Sequence, residues 1–378
     1  MVGTRPSTTN VAFQTLAPVA ITPLPREVEW VKDADVMPDE STHWTWACRV
    51  LESFKGYAID CVAKHAPAPS NLAVVRIKEI GAHYRIVTAD NKRLRIFPGD
   101  QFVGVFGNRY ATDAFEAEVT GLENLSVLTA GGMIGTVKSK HKDTGKPTRV
   151  SFIGFLSGRN GHSGRRINLK SQIFIPAFPR EPVNNLIAVV GTSMNSGKTT
   201  TSTKLIKGLC EKGLRVAACK LTGSVSNRDQ DEMRSARPNL VRDFSDYGFP
   251  STYLCSKEEL VTLFHTMLAD VERINPDVVV MEIADGVLQR ETAMLLDEPS
   301  VCDSIKGLVL TAKDGLSALY AIDRLKQTRN TVIAASGAMT SSPLSVREFQ
   351  ANCDVPVGSS ADSGKEVVEI VCRFIGRA

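Results

Sequence analysis

The chain has 378 residues, of which 43% are hydrophobic and 23% charged, an ordinary globular composition that excludes a largely disordered protein. No run reaches the ~18 apolar residues of a spanning helix, and no basic-then-apolar leader is visible, so neither a membrane span nor a secretory signal is expected. The net charge of +4 is too small to identify a partner, and eight scattered cysteines without a C-x-x-C pair point to reduced thiols in a cytoplasmic protein.

In chain order, residues 1 to about 36 contain Pro6, Pro18, Pro23 and Pro25 with little periodicity, and read as an extended arm. Over 39–65 the spacing of Trp46, Val50, Leu51, Phe54 and Ala58 predicts one amphipathic helix, capped by Asp39 or Ser41. Trp30, Trp44 and Trp46 lie at or just beyond the arm and suit a docking face. Arm and helix make a first region, 1–66. The texture then changes to short alternating segments at 73–77, 83–87, 93–97 and 115–119, separated by Gly, Asn and Asp turns. This predicts a small antiparallel barrel or sandwich over 67–182. Within it, 138–170 carries nine Lys or Arg against one acid, a net +8 that leaves the rest of the chain at −4. Such a patch can hold an anion, although a solvated face is the plainer reading; nucleic acid is disfavoured as its partner.

Pro179 and Pro182 bracket polar residues and make 179–185 the best linker. Beyond it, apolar runs at 186–190, 216–220, 277–282, 307–310 and 331–335 predict buried strands. Helical patterns lie near 198–212, 257–273, 316–328, 344–352 and 364–376. This alternation predicts an α/β domain over 183–378, its parallel sheet covered on both faces.

Residues 186–200 are the most informative segment. An apolar strand runs into a turn, and Gly197-Lys198-Thr199 opens a helix, the order of a phosphate-binding P-loop. In such a loop successive backbone N–H groups wrap a β-phosphate at the positive end of the helix dipole. Gly191, Thr192, Ser193, Met194, Asn195, Ser196, Gly197, Lys198, Thr199 and Thr200 are therefore the candidate nucleotide-binding residues. Lys198 would reach the β- and γ-phosphates, and the Thr199 hydroxyl would sit on Mg²⁺. Strict G-x-x-x-x-G-K-[ST] spacing needs glycine at 192; here Thr192 stands there and Gly191 precedes it.

With its neighbours, this loop resembles that of the dethiobiotin synthetase and cobyrinic acid a,c-diamide synthase class of P-loop NTPases. The strand ending at Lys220 is similar to the second strand of that class, whose lysine lies near the γ-phosphate and substrate. Asn227-Arg228-Asp229 resembles its Asn-x-Asp, which implies that Asp229 binds metal. The strand ending in Glu282, followed by Ile283-Ala-Asp285-Gly286, resembles the one whose glutamate completes the metal site. The resemblance covers roughly 185–360. It departs where that class has a proline after the lysine, here Leu221, and a Gly-Ala-Gly-Gly run after the glutamate. Nothing in dethiobiotin synthetase corresponds to residues 1–180, so the chain resembles a separate branch with a β-rich domain in front.

The expected metal ligands are thus Thr199, Asp229 and Glu282, and the expected catalytic residues Lys198, Lys220 and Glu282. An acid or lysine ending so apolar a strand needs a partner. Asp285, Arg290 and Tyr247 are candidate substrate residues, with helix capping and loop packing as the plainer alternatives for Asp285 and Tyr247. Ser336-Gly337 lies where relatives hold the base edge, which favours adenine; Thr311-Ala-Lys-Asp314 lacks the Asn-Lys-x-Asp spacing of a guanine reader. The six histidines have no metal spacing. The expectation is an ATP- and Mg²⁺-dependent synthetase-like enzyme that phosphorylates or activates a carboxylate-like group, working as a homodimer or higher homo-oligomer. The alternative is a nucleotide-dependent switch or maturation factor acting on a protein.

Overall fold

The computed structural model describes residues 38, 41–61, 66–158, 166–172, 185–359 and 364–377. The arm, the 182/183 boundary and the linker apart from Asn185 fall outside these residues.

The β-rich part runs through β1 (His43–Trp44), β2 (Tyr57–Asp60), β3 (Leu72–Glu79), β4 (Arg85–Val87), β5 (Arg93–Arg95), β6 (Gln101–Phe106), β7 (Phe115–Glu118), β8 (Leu125–Val127), β9 (Met133–Lys140) and β10 (Thr148–Gly158). Strands β6, β3, β10, β8 and β9 pair in that order and β9 returns to β6, closing a small barrel. All these pairs are antiparallel except β6–β9. The period of two explains the packing. On β3, Leu72 and Val74 enter one apolar cluster with Trp46 and Leu156, while Ala73, Val75 and Ile77 enter another with Phe102, Phe106 and Phe155. Gly154 sits at a register break where β2 crosses; a Cβ there would lie 2.4 Å from Ile59.

The helix expected over 39–65 does not form among the described residues. That segment gives β1, a 3₁₀ turn at Trp46–Val50, and β2. Gly56 turns the chain at φ +82°, and Ala58 and Ile59 pair with Ser157 and Leu156 of β10. Trp46 and Leu51, which suggested the helix, pack on the barrel instead.

A short helix α1 (Leu169–Gln172) precedes the second sheet, in which six parallel strands take the order β13-β12-β14-β11-β15-β16. Their ranges are β11 (Leu186–Gly191), β12 (Val216–Lys220), β13 (Leu240–Asp243), β14 (Val278–Glu282), β15 (Gly307–Thr311) and β16 (Val332–Ser336). Between and after them come α2 (Lys198–Glu211), α3 (Arg228–Ser235), α4 (Lys257–Glu272), α5 (Arg290–Leu296), α6 (Pro299–Cys302), α7 (Gly315–Lys326), α8 (Pro343–Gln350) and α9 (Lys365–Phe374). The fold is therefore α/β, with a parallel sheet behind a β-rich part. Alternate residues of β11 serve opposite faces. Leu186, Ala188 and Val190 join the core under α4, α5, α7 and α8, and Ile187 and Val189 join the core under α2, α3 and α9. Since α2 leaves β11 toward one face and α5 follows β14 toward the other, the connections of these adjacent strands diverge at their carboxyl ends. Open α/β sheets hold ligands at such a point.

Candidate functional site

The loop between β11 and α2 is fixed by glycines that no other residue could replace without a shift. A Cβ on Gly191 would meet Ser196 Oγ at 2.3 Å, and Gly197 starts α2 at φ +101°. Gly337, at φ +90°, backs against the same loop, where a Cβ would lie 2.2 Å from the Ser196 carbonyl oxygen. Hydrogen bonds complete the frame. Ser196 Oγ and Thr311 Oγ1 are 2.8 Å apart, the Thr192 N–H donates to the Thr311 carbonyl at 2.9 Å, and the Ala338 N–H to that of Ser196 at 3.0 Å. Backbone N–H groups at the start of α2 are thus presented in the manner of an anion-binding loop.

Lys198 is buried and reaches back across the loop, its Nζ donating to the Ser193 carbonyl at 2.8 Å. Burial pulls its pKa down to about 8 against the opposing pull of Glu282 and Asp285. Thr199 Oγ1 donates to Glu282 Oε1 at 3.1 Å.

Lys220 and Glu282 are register partners on β12 and β14, so the topology alone sets them side by side. Lys220 Nζ donates to Glu282 Oε1 at 3.2 Å and pairs with Asp229, in the first turn of α3. Burial alone would lower the Lys220 pKa; the two carboxylates outweigh it and hold the ammonium well above its ordinary value. Asp229 is pushed up by burial and down further by Lys220, ending below the usual carboxylate range. Glu282 is 1% exposed, and its Oε2 is buried with no hydrogen-bond partner. A buried carboxylate oxygen left in that state is costly unless a further group binds it.

Just beyond β14, Asp285 sits at φ +63°, and Gly286 packs on the phosphate loop so closely that a Cβ would be 2.5 Å from the Thr192 carbonyl oxygen. Burial raises the Asp285 pKa to about 6, despite Lys198 and Lys220 nearby. Among the described residues no hydrogen bond engages its carboxylate.

Two candidate substrate residues do not join this group. The Tyr247 side chain is buried in the core beneath α4, and its hydroxyl donates to Asp270 at 2.9 Å. Arg290 turns its guanidinium to Glu291 and to the Cys255 carbonyl, 3.1 Å away. Arg166, from the basic stretch, stacks on Phe155 of the barrel at 3.5 Å.

Sequence reasoning missed the approach of the barrel to the phosphate loop. The Asn195 amide donates to Asp113 Oδ2 at 2.9 Å, and the Thr112 N–H lies 3.3 Å from Met194 Sδ. Tyr110, on the same barrel loop, meets Tyr253 with ring centroids 5.6 Å apart. Gly, Asn and Asp turns marked loops between the barrel strands, and nothing in the sequence said what this one would touch.

No protein-family model matches the chain, and no curated protein matches it. Solved structures resemble part of it. The signal recognition particle receptor FtsY of Elizabethkingia anophelis is 18% identical over 50% of this chain and 64% of its own, with a TM-score of 0.34. The kinase domain of the Escherichia coli tyrosine kinase ETK is 14% identical over 42% of this chain and 69% of its own, at 0.31. The 54 kDa signal recognition particle protein of Aeropyrum pernix, solved in complex with GDP, is 16% identical over 52% of this chain and 47% of its own, at 0.34. The chain thus spans less than two thirds of the FtsY chain it resembles.

Proposed function

We propose that the chain is an ATP- and Mg²⁺-dependent enzyme that phosphorylates or otherwise activates a carboxylate-like group of a small molecule, as in the dethiobiotin synthetase class its motifs resemble. The observation that carries this reading is the convergence of Lys198, Thr199, Lys220, Asp229 and Glu282 at one end of the sheet, with one Glu282 oxygen unpartnered. Two ammonium groups placed there can neutralise charge growing on a transferred phosphoryl group. A phosphate beside Lys198 also offsets the burial that lowers its pKa, keeping the ammonium charged at neutral pH.

Thr199, Asp229 and Glu282 offer the hard oxygen donors that suit Mg²⁺, and the orphaned oxygen of Glu282 is the observation that fits an ion. When bound, Mg²⁺ supplies positive charge at the phosphates. Adenine is favoured over guanine because Thr311-Ala-Lys-Asp314 lacks the Asn-Lys-x-Asp spacing of a guanine reader, and Ser336-Gly337 stands where a base edge would be held. All eight cysteines are free thiols, which supports a reducing compartment, the cytoplasm, as part of the proposal. A homodimer or higher homo-oligomer belongs to it too. Among the described residues no helix is long and apolar enough to cross a membrane.

A nucleotide-dependent switch is the second reading, and the contact of Thr112 and Asp113 with Met194 and Asn195 favours it, since it ties the barrel to the phosphate loop. Phosphate release from Mg-ATP separates the two. A synthetase turns over when a small acceptor is added and a switch when a protein is. Lys198→Ala should lower turnover by at least ~10²–10³-fold and weaken nucleotide binding. Unchanged turnover and affinity in that variant would overturn the assignment.

A further inference from the structure

The barrel surface holds an open depression, its apolar floor ringed by polar groups, that the nucleotide reading leaves unused. It measures about 310 Å³, and Tyr110, Thr112, Glu116, Ser139, Lys140 and His141 contribute to its lining. That volume lies at the small end of ligand pockets and suits a compact metabolite. One wall is the loop carrying Thr112, and that loop also touches Met194 and Asn195 of the phosphate loop through Thr112 and Asp113.

The depression carries both signs of charge, Glu116 and Lys140, which do not pair with each other. Glu116 Oε2 accepts from Ser139 Oγ at 2.6 Å, and Lys140 Nζ donates to the Thr144 carbonyl at 2.8 Å. Among the described residues no ion pair joins Glu116 to Lys140. Glu116 therefore keeps its Oε1, and Lys140 keeps two of its three N–H donors. The Asp143 N–H donates to His141 Nδ1 at 3.3 Å and the Asp143 carboxylate lies 3.7 Å from the same nitrogen, so the neutral ring carries its proton on Nε2 as a further donor while a protonated ring would face Asp143. Strand pairing sets this arrangement. Glu116 lies opposite Ser139 and Phe115 opposite Lys140, and a register break follows immediately between Glu116 and Ala117. Such breaks re-aim side chains beside binding sites.

We propose that this depression binds the small-molecule acceptor and that the acceptor is zwitterionic, its carboxylate held by Lys140 and His141 and its ammonium by Glu116, as an amino acid would be. A purely anionic ligand would face Glu116, and a purely cationic one Lys140. The word acceptor rests on the enzyme reading above; the charge pairing stands on the depression itself.

The test is calorimetric titration of the full chain with each of the twenty L-amino acids, β-alanine and 4-aminobutyrate, with succinate and butylamine as single-charge controls. At least one amino acid should bind saturably, and both controls at least tenfold more weakly. Glu116→Gln and Lys140→Met should each weaken that binding at least tenfold while leaving Mg-ATP binding intact, which also shows that the variants fold. No saturable amino-acid binding, binding indifferent to both substitutions, or succinate bound as tightly would overturn the proposal. Mg-ATP titration of the parent chain and of Lys198→Ala, beside the amino-acid titration, distinguishes the two readings. Amino-acid binding that persists in a protein unable to bind Mg-ATP even with Lys198 intact would sink the nucleotide reading alone. Intact, Lys198-dependent Mg-ATP binding without any amino-acid binding would sink this one alone.

Discussion

Lys220, at the end of β12, is 6% exposed and faces two carboxylates, whereas Lys138, Lys140 and Lys142 of the barrel stand in solvent. The two regions thus place charge under different constraints. A buried ammonium must be matched, so its partners occupy fixed register positions, as Glu282 does opposite Lys220. An exposed lysine needs no partner, and a row of them specifies only a local field. For this reason the chemistry of the parallel sheet can be argued residue by residue, while the +8 stretch of the barrel can be read only through the depression that three of its residues, Ser139, Lys140 and His141, help to line.

The sharpest way to break this contrast is to delete one charge from each region. Lys220→Met leaves the buried Glu282 without its hydrogen-bonded cation, and breaking such a pair costs about 3–5 kcal/mol. Lys142→Met, on the exposed connection between β9 and β10, should change stability by no more than ~0.5 kcal/mol. Denaturant unfolding of the two variants measures the difference. Equal losses would mean that the buried group is not charged as described. Adding Glu282→Gln to Lys220→Met should restore part of the stability, because the orphaned charge is then gone.

The same contrast explains what could be read in advance. Strands β11, β12, β14, β15 and β16 fall within two residues of the apolar runs that predicted them, because strands buried on both faces read as continuous apolar stretches. The helices α2, α4, α7, α8 and α9 were equally visible. The polar α3 was not: over Arg228–Ser235, Met233 is its one apolar residue, so no stripe exists to detect. Edge strand β13, Leu240–Asp243, mixes two charges into four residues and reads as loop. Near the site, Lys198 and Thr199 follow from the order of the phosphate loop and Lys220 and Glu282 from charges that end apolar strands, whereas Asp229 is named only by the resemblance of Asn227-Arg228-Asp229 to a family motif. Tyr247 was misleading for a local reason. Its segment mixes acids and aromatics like a binding loop, yet Asp243 and Asp246 form a capping box and the ring enters the core. Trp46, Leu51 and Ala58 mimic helical spacing, but tertiary pairing overrides it at β2.

A second, smaller effect concerns Asp285, where the site departs from the rule that buried charge is paired. Its pKa of about 6 lies above the ordinary value near 4, so the folded state holds a proton that the unfolded chain releases between those pH values. Stability from this group is therefore fullest below about pH 4 and is lost as pH rises through about 6. Asp285→Asn removes the dependence and should raise stability at pH 7 by about 1–2 kcal/mol, solvent screening being allowed for. Turnover should fall in the same variant if Asp285 serves the reaction, the usual opposition of stability and activity at a strained site. Unfolding curves at pH 5 and 7 check the sign; an Asn variant less stable than the parent at pH 7 would show that the carboxylate is favourably bound.

The smallest effect is expected where the two regions meet. The Asn195–Asp113 hydrogen bond is exposed, so a double-mutant cycle of Asp113→Ala and Asn195→Ala should give a coupling of only about 0.5 kcal/mol. Its value lies in measuring it twice, without nucleotide and with a saturating non-hydrolysable Mg-ATP analogue. A synthetase needs the barrel loop only as a fixed wall, and the coupling should agree within ~0.5 kcal/mol between the two states. A switch must make this contact differ with the nucleotide, because a ligand moves an equilibrium only by its differential affinity for two states. A change of about 1 kcal/mol or more would therefore transfer the weight of the argument from the acceptor depression to the loop contact. The barrel would then be read as the element that reports which nucleotide the sheet holds.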